Sequence, residues 1–590
     1  MLDLVDAQPA KIADDWLTAL AGAIAGGGRD ALAALFLDDG YWRDVLALTW
    51  NLETMAGQAA IADRLHATLP DAGLGGFALD EDAPAPAAVT RVGRDVVEAF
   101  FRFETELGRG RGIVRLVADD GGGPAKAWTL LTALDELKGF EEAVGANRPT
   151  GQSHSRDFRG PNWLDKRHAA EAYDDHDPTV LVIGGGQAGL STAARLTQLG
   201  VDTLIIDSHE RIGDNWRKRY HALTLHNQVQ VNHLPYMPFP PNWPTYIPKD
   251  KLANWFEAYV ESMELNYWTD TKLVAGSYDD AAACWTVTLR HGDGRERQMR
   301  PRHIVMATGV SGIAHVPELP GLDTFKGKVV HSSRYEDGED WSGKSAIVIG
   351  TGNSGHDIAH DLRSSGADVT LVQRSPTLVV NIEPSAQLPY TLYDEGPSLE
   401  DCDLIVVSLP TPLVREAHVG YTRRSRELDK DLLDGLTRIG FKLDYGEDET
   451  GWQFKYLTRG GGYYFNVGCS DMLVEGKIKL QQFDQIESFT QSGAQLKDGS
   501  RLDADLVVLS TGYKPQEVLV ENLFGAQVRE RVGPIWGFGD GLELRNMYCR
   551  TGQPGLWFIA GSLAQCRINS KYLALQIKAC EEGLLSVNAS

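Results

Sequence analysis

The run Thr179-Val-Leu-Val-Ile183 leads straight into Gly184-Gly-Gly186-Gln187-Ala188-Gly189, and the chain continues Leu190-Ser-Thr-Ala-Ala-Arg-Leu196. A short, β-branched apolar run of this kind reads as a strand buried on both faces, and the residues after the glycines favour helix. A second apolar run, Thr203-Leu-Ile-Ile206, stops at Asp207. Each position has its own physical task. Gly184 makes the tight turn, Gly186 lets the backbone approach a pyrophosphate, and Gly189 lets helix and strand pack closely. The N–H groups of the helix N-terminus face the phosphates. Asp207 stands where a carboxylate accepts hydrogen bonds from a ribose diol. A glycine triplet alone is a weak signal. Strand, helix, second strand and terminal acid together predict dinucleotide binding.

The pattern returns at Ser345-Ala-Ile-Val-Ile349, Gly350-Thr-Gly352-Asn353-Ser354-Gly355 and Asp368-Val-Thr-Leu-Val-Gln373. This time the last strand ends in Gln373-Arg374-Ser375. An acid there would repel a 2′-phosphate, whereas Arg374 can pair with one. The first site therefore reads as FAD-type, with Ser208 beside its acid. The second reads as a site for NADPH, with NADH also admitted. Two more apolar strands, from Arg302 and from Asp505, end in the turns Thr308-Gly309 and Thr511-Gly512. Such turns are where a nicotinamide unit inserted into an FAD unit would let the chain cross between the two. The expected fold is α/β, two nested Rossmann-like dinucleotide-binding domains preceded by an α+β domain.

That leading domain spans 1–145. Trp16, Leu17, Leu20, Ile24, Leu32, Leu35 and Phe36 follow helical spacing. Phe101–Thr105, Ile113–Val117 and Ala127–Leu134 read as strands, separated by turns at Gly108–Gly112 and Asp119–Gly123. Residues 146–174 read as a polar linker. The FAD-binding domain is expected over 175–337 and 476–590, and the NAD(P)H-binding domain over 338–475, with an unpatterned helical stretch from about 385 to 460.

Composition supplies exclusions. At about 150 residues per domain, 590 residues suggest about four domains. The 57 Lys and Arg against 81 Asp and Glu give a net charge of −24, which argues against nucleic acid or an anionic membrane as partner. Six Cys, with no Cys-x-x-Cys pair, argue against a disulfide scaffold, a thiol redox centre and a Cys-ligated zinc site. The start Met1-Leu-Asp-Leu-Val-Asp lacks a signal peptide's basic and apolar regions, so a cytoplasmic location is expected. His356 and His360 imitate a zinc spacing but lack the glutamate a metalloprotease needs. Asn588-Ala-Ser590 is a glycosylation sequon by pattern only.

Residues 175–590 resemble the class B flavoprotein monooxygenases, and more closely the flavin-containing and YUCCA-type enzymes. The identifying string stands as Phe325-Lys-Gly327-Lys-Val-Val-His331-Ser-Ser-Arg-Tyr335, between the two glycine turns. Gly213-Asp-Asn-Trp216-Arg217-Lys-Arg-Tyr220 matches the family segment after the ribose acid, which adds Trp216 and Arg217 as FAD contacts. Ser510-Thr-Gly-Tyr513 matches the late Ala-Thr-Gly-Tyr motif, with Ser in place of Ala. The leading domain resembles SnoaL-like (nuclear transport factor 2-like) domains through Phe36-Leu-Asp-Asp-Gly-Tyr-Trp42-Arg-Asp44. A monooxygenase with that extension resembles the type II flavin-containing group. For the extension itself, a packing or homo-oligomer role and a substrate-gating role both stand open.

The resemblance implies reduction of FAD by NAD(P)H and oxygenation through a C4a-(hydro)peroxyflavin, with O2 and a small molecule as the substrates. Small ketones would be converted by Baeyer–Villiger insertion, and soft N or S atoms directly. The informative departure is Leu225-His226-Asn227-Gln228. Flavin-containing monooxygenases commonly carry Asn where His226 stands, and YUCCA-type enzymes carry His. His226 and Asn227 are thus the candidate catalytic pair, and an ordinary imidazole titrating near ~6.5 would set the protonation of the oxygenating species. The His match also admits YUCCA-like oxidative decarboxylation of a 2-oxo acid such as an indole pyruvate. A pyridine nucleotide–disulfide reductase would share both glycine turns but needs the missing Cys pair. His331 reads as a residue that couples domains.

Overall fold

Val180–Ile183 and Thr203–Ile206 are buried at every position, as strands covered on both faces must be. The protein was analysed as a computed structural model, which describes residues 3–118, 123–150, 158–539 and 541–588. In it these strands pair, all parallel, in a five-stranded sheet ordered 266–268, 203–206, 180–183, 303–306, 556–558. The helix Gln187–Gln198 leaves the first glycine turn and packs against the long C-terminal helix Leu563–Glu581.

A second parallel five-stranded sheet is ordered 328–331, 506–509, 345–349, 368–373, 479–482. Every one of its strands lies, in sequence, between strands 303–306 and 556–558 of the first. Three of them, 328–331, 479–482 and 506–509, fall outside the expected span of 338–475. A glycine turn marks the middle of such a unit and says nothing about its edges.

The N-terminal part is a seven-stranded sheet built from Phe36–Val45, Leu52–Ala56, Gly75–Leu79, Ala87–Arg91, Arg94–Glu104, Gly108–Val117 and Lys126–Leu137. The helices Asp3–Gly26 and Gln58–Ala72 pack against it. Three expectations change here. Leu35 and Phe36 are not helical: the short helix Arg29–Ala33 ends first, and Phe36 opens a strand whose ring meets Trp16 edge-on at 6.1 Å. Gly108–Gly112 is not a turn but the start of a strand, because Cβ atoms at Gly110 and Gly112 would overlap the Phe103 and Phe101 rings. The expected linker contains the helix Trp163–Ala172, closed at its start by a capping box between Asn162 and Asp165. Most of the Asp119–Gly123 turn, part of the linker and the end of Asn588-Ala-Ser590 lie outside the described residues.

The stretch after residue 385 folds into the helices Leu399–Ser408, Thr411–Leu428, Lys430–Arg438 and Gly451–Arg459. Among the described residues no helix is long and apolar enough to cross a membrane.

Candidate active site

The two glycine turns are built alike. Gly184 and Gly350 have φ of +107° and +113°, a region open to glycine and strained for other residues. A Cβ on Gly184 would lie 2.7 Å from the Ala307 carbonyl oxygen, and one on Gly350 would overlap that of Ser510. Ala307 and Ser510 open the two Thr-Gly turns, so each Thr-Gly turn packs directly on one glycine turn. In both, a Cβ on the third glycine, Gly189 or Gly355, would overlap the carbonyl oxygen of the first.

A cleft with a cavity volume of about 1170 Å³ opens along the second turn. Gly350, Gly352, Asn353, Ser354, Arg374, Ser375, Thr511 and Gly512 line it, as do His226 and Asn227. The first turn reaches it only through Gln187, joined by Trp216 and by Gly561–Gln565 at the start of the C-terminal helix. Gly184, Gly186, Ala188, Gly189, Asp207 and Ser208 lie outside this lining. Thr308 and Gly309 border a separate hollow of about 10 Å³, where the Thr308 hydroxyl is buried without a hydrogen-bond partner.

His226 and Asn227 sit on the strand Thr224–Gln228, which pairs with Tyr246–Pro248. The Asn227 side-chain amide donates to the Tyr390 hydroxyl at 3.4 Å, and the Asn227 backbone carbonyl accepts from the Asn232 side chain at 2.9 Å. Burial pushes the His226 imidazole down to about 4. It is therefore neutral at physiological pH, contrary to the ordinary value expected of it. Its ring meets Phe465 edge-on at 5.4 Å. Phe465 packs at 4.9 Å on Trp452 and at 5.0 Å on Tyr463, and Trp452 also contacts Tyr390 at 6.0 Å. This aromatic wall was missed in the sequence. Its only local signal is the density of rings in Trp452 and Tyr463-Tyr-Phe465.

The profile of the family described as Flavin-binding monooxygenase-like matches residues 177–415. Indole-3-pyruvate monooxygenase YUCCA1 of Oryza sativa subsp. japonica is 30% identical over 354 residues, 60% of this chain and 80% of that protein. The chain belongs to the flavin-binding monooxygenase-like family. As a member it is a flavin-dependent monooxygenase. Probable indole-3-pyruvate monooxygenase YUCCA10 of Arabidopsis thaliana is 28% identical, over 57% of this chain and 82% of that protein. In fold, a cyclohexanone-bound cyclohexanone monooxygenase in its Rotated conformation superposes with a TM-score of 0.52 at 16% identity, covering 69% of this chain and 88% of that one.

The residues present fit a flavin nucleotide at the first turn. Asp207 is 8% exposed. Burial alone would raise its pKa, but hydrogen bonds from His209 and from the N–H groups of Gly185 and His209 hold it below the usual carboxylate range. It stays ionised, and a carboxylate's remaining lone pairs can accept from a diol. Trp216 donates to the Gln187 side chain at 3.3 Å, which in turn donates to the Gly561 carbonyl at 3.1 Å. Gln187 thereby ties the first turn to the C-terminal helix. Arg217 does not join this group: its guanidinium pairs with Asp214 and Glu257 and donates to Asn254.

The second turn fits a phosphorylated nicotinamide nucleotide. The exposed Arg374 guanidinium has no hydrogen-bond or ion-pair partner among the described residues. The Ser510 hydroxyl, against Gly350, is buried and unpaired. The Asn353 side chain accepts from the Phe465 N–H at 2.9 Å and so links this turn to the aromatic wall.

His331, in the family string, lies at the end of the strand Lys328–His331. Its Nδ1 accepts from the Ser333 N–H at 3.1 Å, which leaves Nε2–H to donate to the Gly512 carbonyl at 3.1 Å. The string thus holds the second Thr-Gly turn. Gly327 has a matching reason: a Cβ there would overlap the Asp505 carbonyl oxygen. Tyr335 donates to Asp361 at 2.7 Å, and Tyr220 donates to Asp357 at 2.5 Å, four residues earlier on the helix Asn353–Ser364.

Proposed function

We propose that this protein is an FAD- and NADPH-dependent monooxygenase, able to use NADH as well. It places one oxygen atom of O2 into small ketones by Baeyer–Villiger insertion, or into soft N and S heteroatoms. The observation that carries this reading is the single cleft that holds the second glycine turn, Arg374, Gln187 and Trp216 together with His226, Asn227 and the aromatic wall. When bound, the flavin and the nicotinamide supply electron transfer and O2 activation. The chain's own part is recognition, orientation and exclusion of water. Gln187 and Trp216 lie along the flavin path, and Arg374 pairs with the 2′-phosphate. Neutral His226 offers hydrogen bonding without charge, while Tyr390 accepts from the Asn227 amide and Asn232 holds the Asn227 backbone. The rings of Tyr390, Trp452, Tyr463 and Phe465 give an apolar, water-excluding wall.

The same reading assigns the two parallel sheets to nested Rossmann-like domains, the flavin unit outside and the nicotinamide unit inside. The inner unit then includes the strands at 328–331, 479–482 and 506–509. It assigns the N-terminal sheet and helices to a SnoaL-like (nuclear transport factor 2-like) domain.

A second reading, oxidative decarboxylation of an aryl 2-oxo acid, has its own support. One of the two plant relatives is named an indole-3-pyruvate monooxygenase and the other a probable one, and the exposed Arg219 and Arg459 line the same cleft as the aromatic wall. Aerobic NADPH oxidation across sulfides, amines, cyclic ketones and an aryl pyruvate, with products identified, separates the two. Sulfoxide or lactone supports the first reading, and aryl acetate supports the second. Nicotinamide consumption without O2 uptake contradicts both.

A further inference from the structure

The N-terminal sheet presents an unusual second face. By strand register, Arg43, Arg111, Ile113, Arg115, Thr129, Leu131 and Glu98 share one side, opposite the helices that cover Trp42. A face so rich in charge normally points to water. Here Arg115 is fully buried and the Glu98 side chain is 6% exposed. The face packs on the helix Leu399–Ser408, whose far end carries Val406 and Leu409 into the cleft.

The contacts across this boundary are specific. Arg115 donates to Glu98 at 2.8 Å and to Thr129 at 3.2 Å within the sheet, and its third nitrogen donates across to the Ser408 hydroxyl at 2.8 Å. Arg43 grips Glu543 with two nitrogens at 3.0 and 2.8 Å and donates with the third to the Val407 carbonyl. Arg111 bridges Asp80 and Asp401 at 2.9 and 2.6 Å. Leu413, in the first turn of the next helix, packs with Val96 and Trp128. Two guanidiniums therefore meet the C-terminal end of one helix, the end whose free carbonyls attract cations. Buried charged hydrogen bonds are directional, and losing one partner strands the other as a buried charge, so they fix a register rather than merely add adhesion.

We propose that the N-terminal sheet sets one wall of the substrate cavity: through Arg43 and Arg115 it holds the end of the helix Leu399–Ser408, and with it the positions of Val406 and Leu409. Arg43 and Arg115 are positioning residues that shape substrate selectivity without touching cofactor. The inference rests on the cleft being the substrate site of the proposed oxygenase. It also turns the N-terminal unit from a passive attachment into part of that site.

The test uses full-length, FAD-loaded Arg43→Met and Ser408→Ala proteins. Ser408→Ala removes the acceptor and the hydroxyl's own bond to the Ile405 carbonyl while leaving Arg115 with Glu98 and Thr129, and Arg43→Met leaves that local bond intact, so an effect shared by both variants supports the proposal and one confined to Ser408→Ala does not. Two readouts are taken: hydrogen exchange of amides 404–414, and steady-state kinetics with methyl p-tolyl sulfide as probe. The proposal expects faster exchange in 404–414, a sulfide KM raised by about tenfold, an NADPH KM within about twofold, and a changed sulfoxide enantiomer ratio. Unchanged exchange and enantiomer ratio in both folded variants overturn it. An equal rise in both KM values does the same, since that is what general destabilisation gives. If the parent protein does not oxidise the sulfide, the functional reading for heteroatoms fails, and the exchange data alone decide whether the sheet holds the helix.

Discussion

In the proposed function, Arg374 carries the choice of nicotinamide. It follows the strand Asp368–Gln373, and by strand register Gln373 stands where Asp207 stands in the other unit, so Arg374 is the counterpart of Ser208. The first unit has a buried, ionised acid at that place, and the second has the buried amide of Gln373 followed by the exposed, unpaired Arg374 guanidinium. Charge-assisted hydrogen bonds to phosphate contribute about 1.5–3 kcal/mol. Arg374→Ala is therefore expected to raise the KM for NADPH by about tenfold or more while leaving the KM for NADH within about twofold. Equal effects on both nucleotides would remove Arg374 from the phosphate site. His226 illustrates the reverse situation, where position was legible and chemistry was not. Its place beside Asn227 could be read from the chain, but the burial that lowers its pKa to about 4 is built by the folded chain around it, where Phe465, more than two hundred residues later, meets its ring.

At the scale of elements, the strand–glycine–helix unit is held by overlaps that leave no room for a methyl group. Gly189→Ala is expected to give protein lacking flavin. Gly355→Ala is expected to keep flavin but lose NADPH-dependent reduction, as read by the flavin absorbance after purification and by its bleaching with NADPH. Full flavin content in Gly189→Ala, or normal reduction in Gly355→Ala, would contradict the assignment of the turns. Both units were legible because their signals are local: a buried strand, a turn and a helix lie within about thirty residues. The departures have the opposite character. Gly108–Gly112 looks like a turn until Phe101 and Phe103 are seen to fill the space above those glycines. The aromatic wall depends on rings brought together from Tyr390, Trp452 and Tyr463–Phe465. The outer strands of the second sheet, Lys328–His331 and Lys479–Gln482, are short and half polar or more, and their partners are set by pairing across more than a hundred residues.

For the molecule as a whole, buried titratable groups set the response to acid. Burial lowers His226, His356 and His418 to about 4, and His233, where the Arg567 charge adds to burial, to the same value. These groups are neutral in the fold and ordinary when unfolded, so between about 6.5 and 4 the unfolded chain binds more protons and stability falls as pH is lowered. Burial raises Asp44 and Asp357 to about 6, which acts oppositely below that pH. Each proton taken up on unfolding contributes about 1.4 kcal/mol per pH unit, and four histidines outweigh two carboxyls. The urea midpoint is expected to be lower at about pH 5 than at about pH 7.5, and an equal or higher midpoint at the lower pH would show that the histidines are not buried neutral. The central claim, that one cleft brings the two nucleotides and an apolar substrate together for oxygenation, is tested most directly with ¹⁸O2. The holoenzyme is supplied with NADPH and methyl p-tolyl sulfide, cyclohexanone or phenylpyruvate, and the products are weighed by mass spectrometry. One ¹⁸O atom per product molecule, matched by O2-dependent NADPH consumption, is the predicted result. Product without label, or NADPH consumed at the same rate without O2, would contradict it.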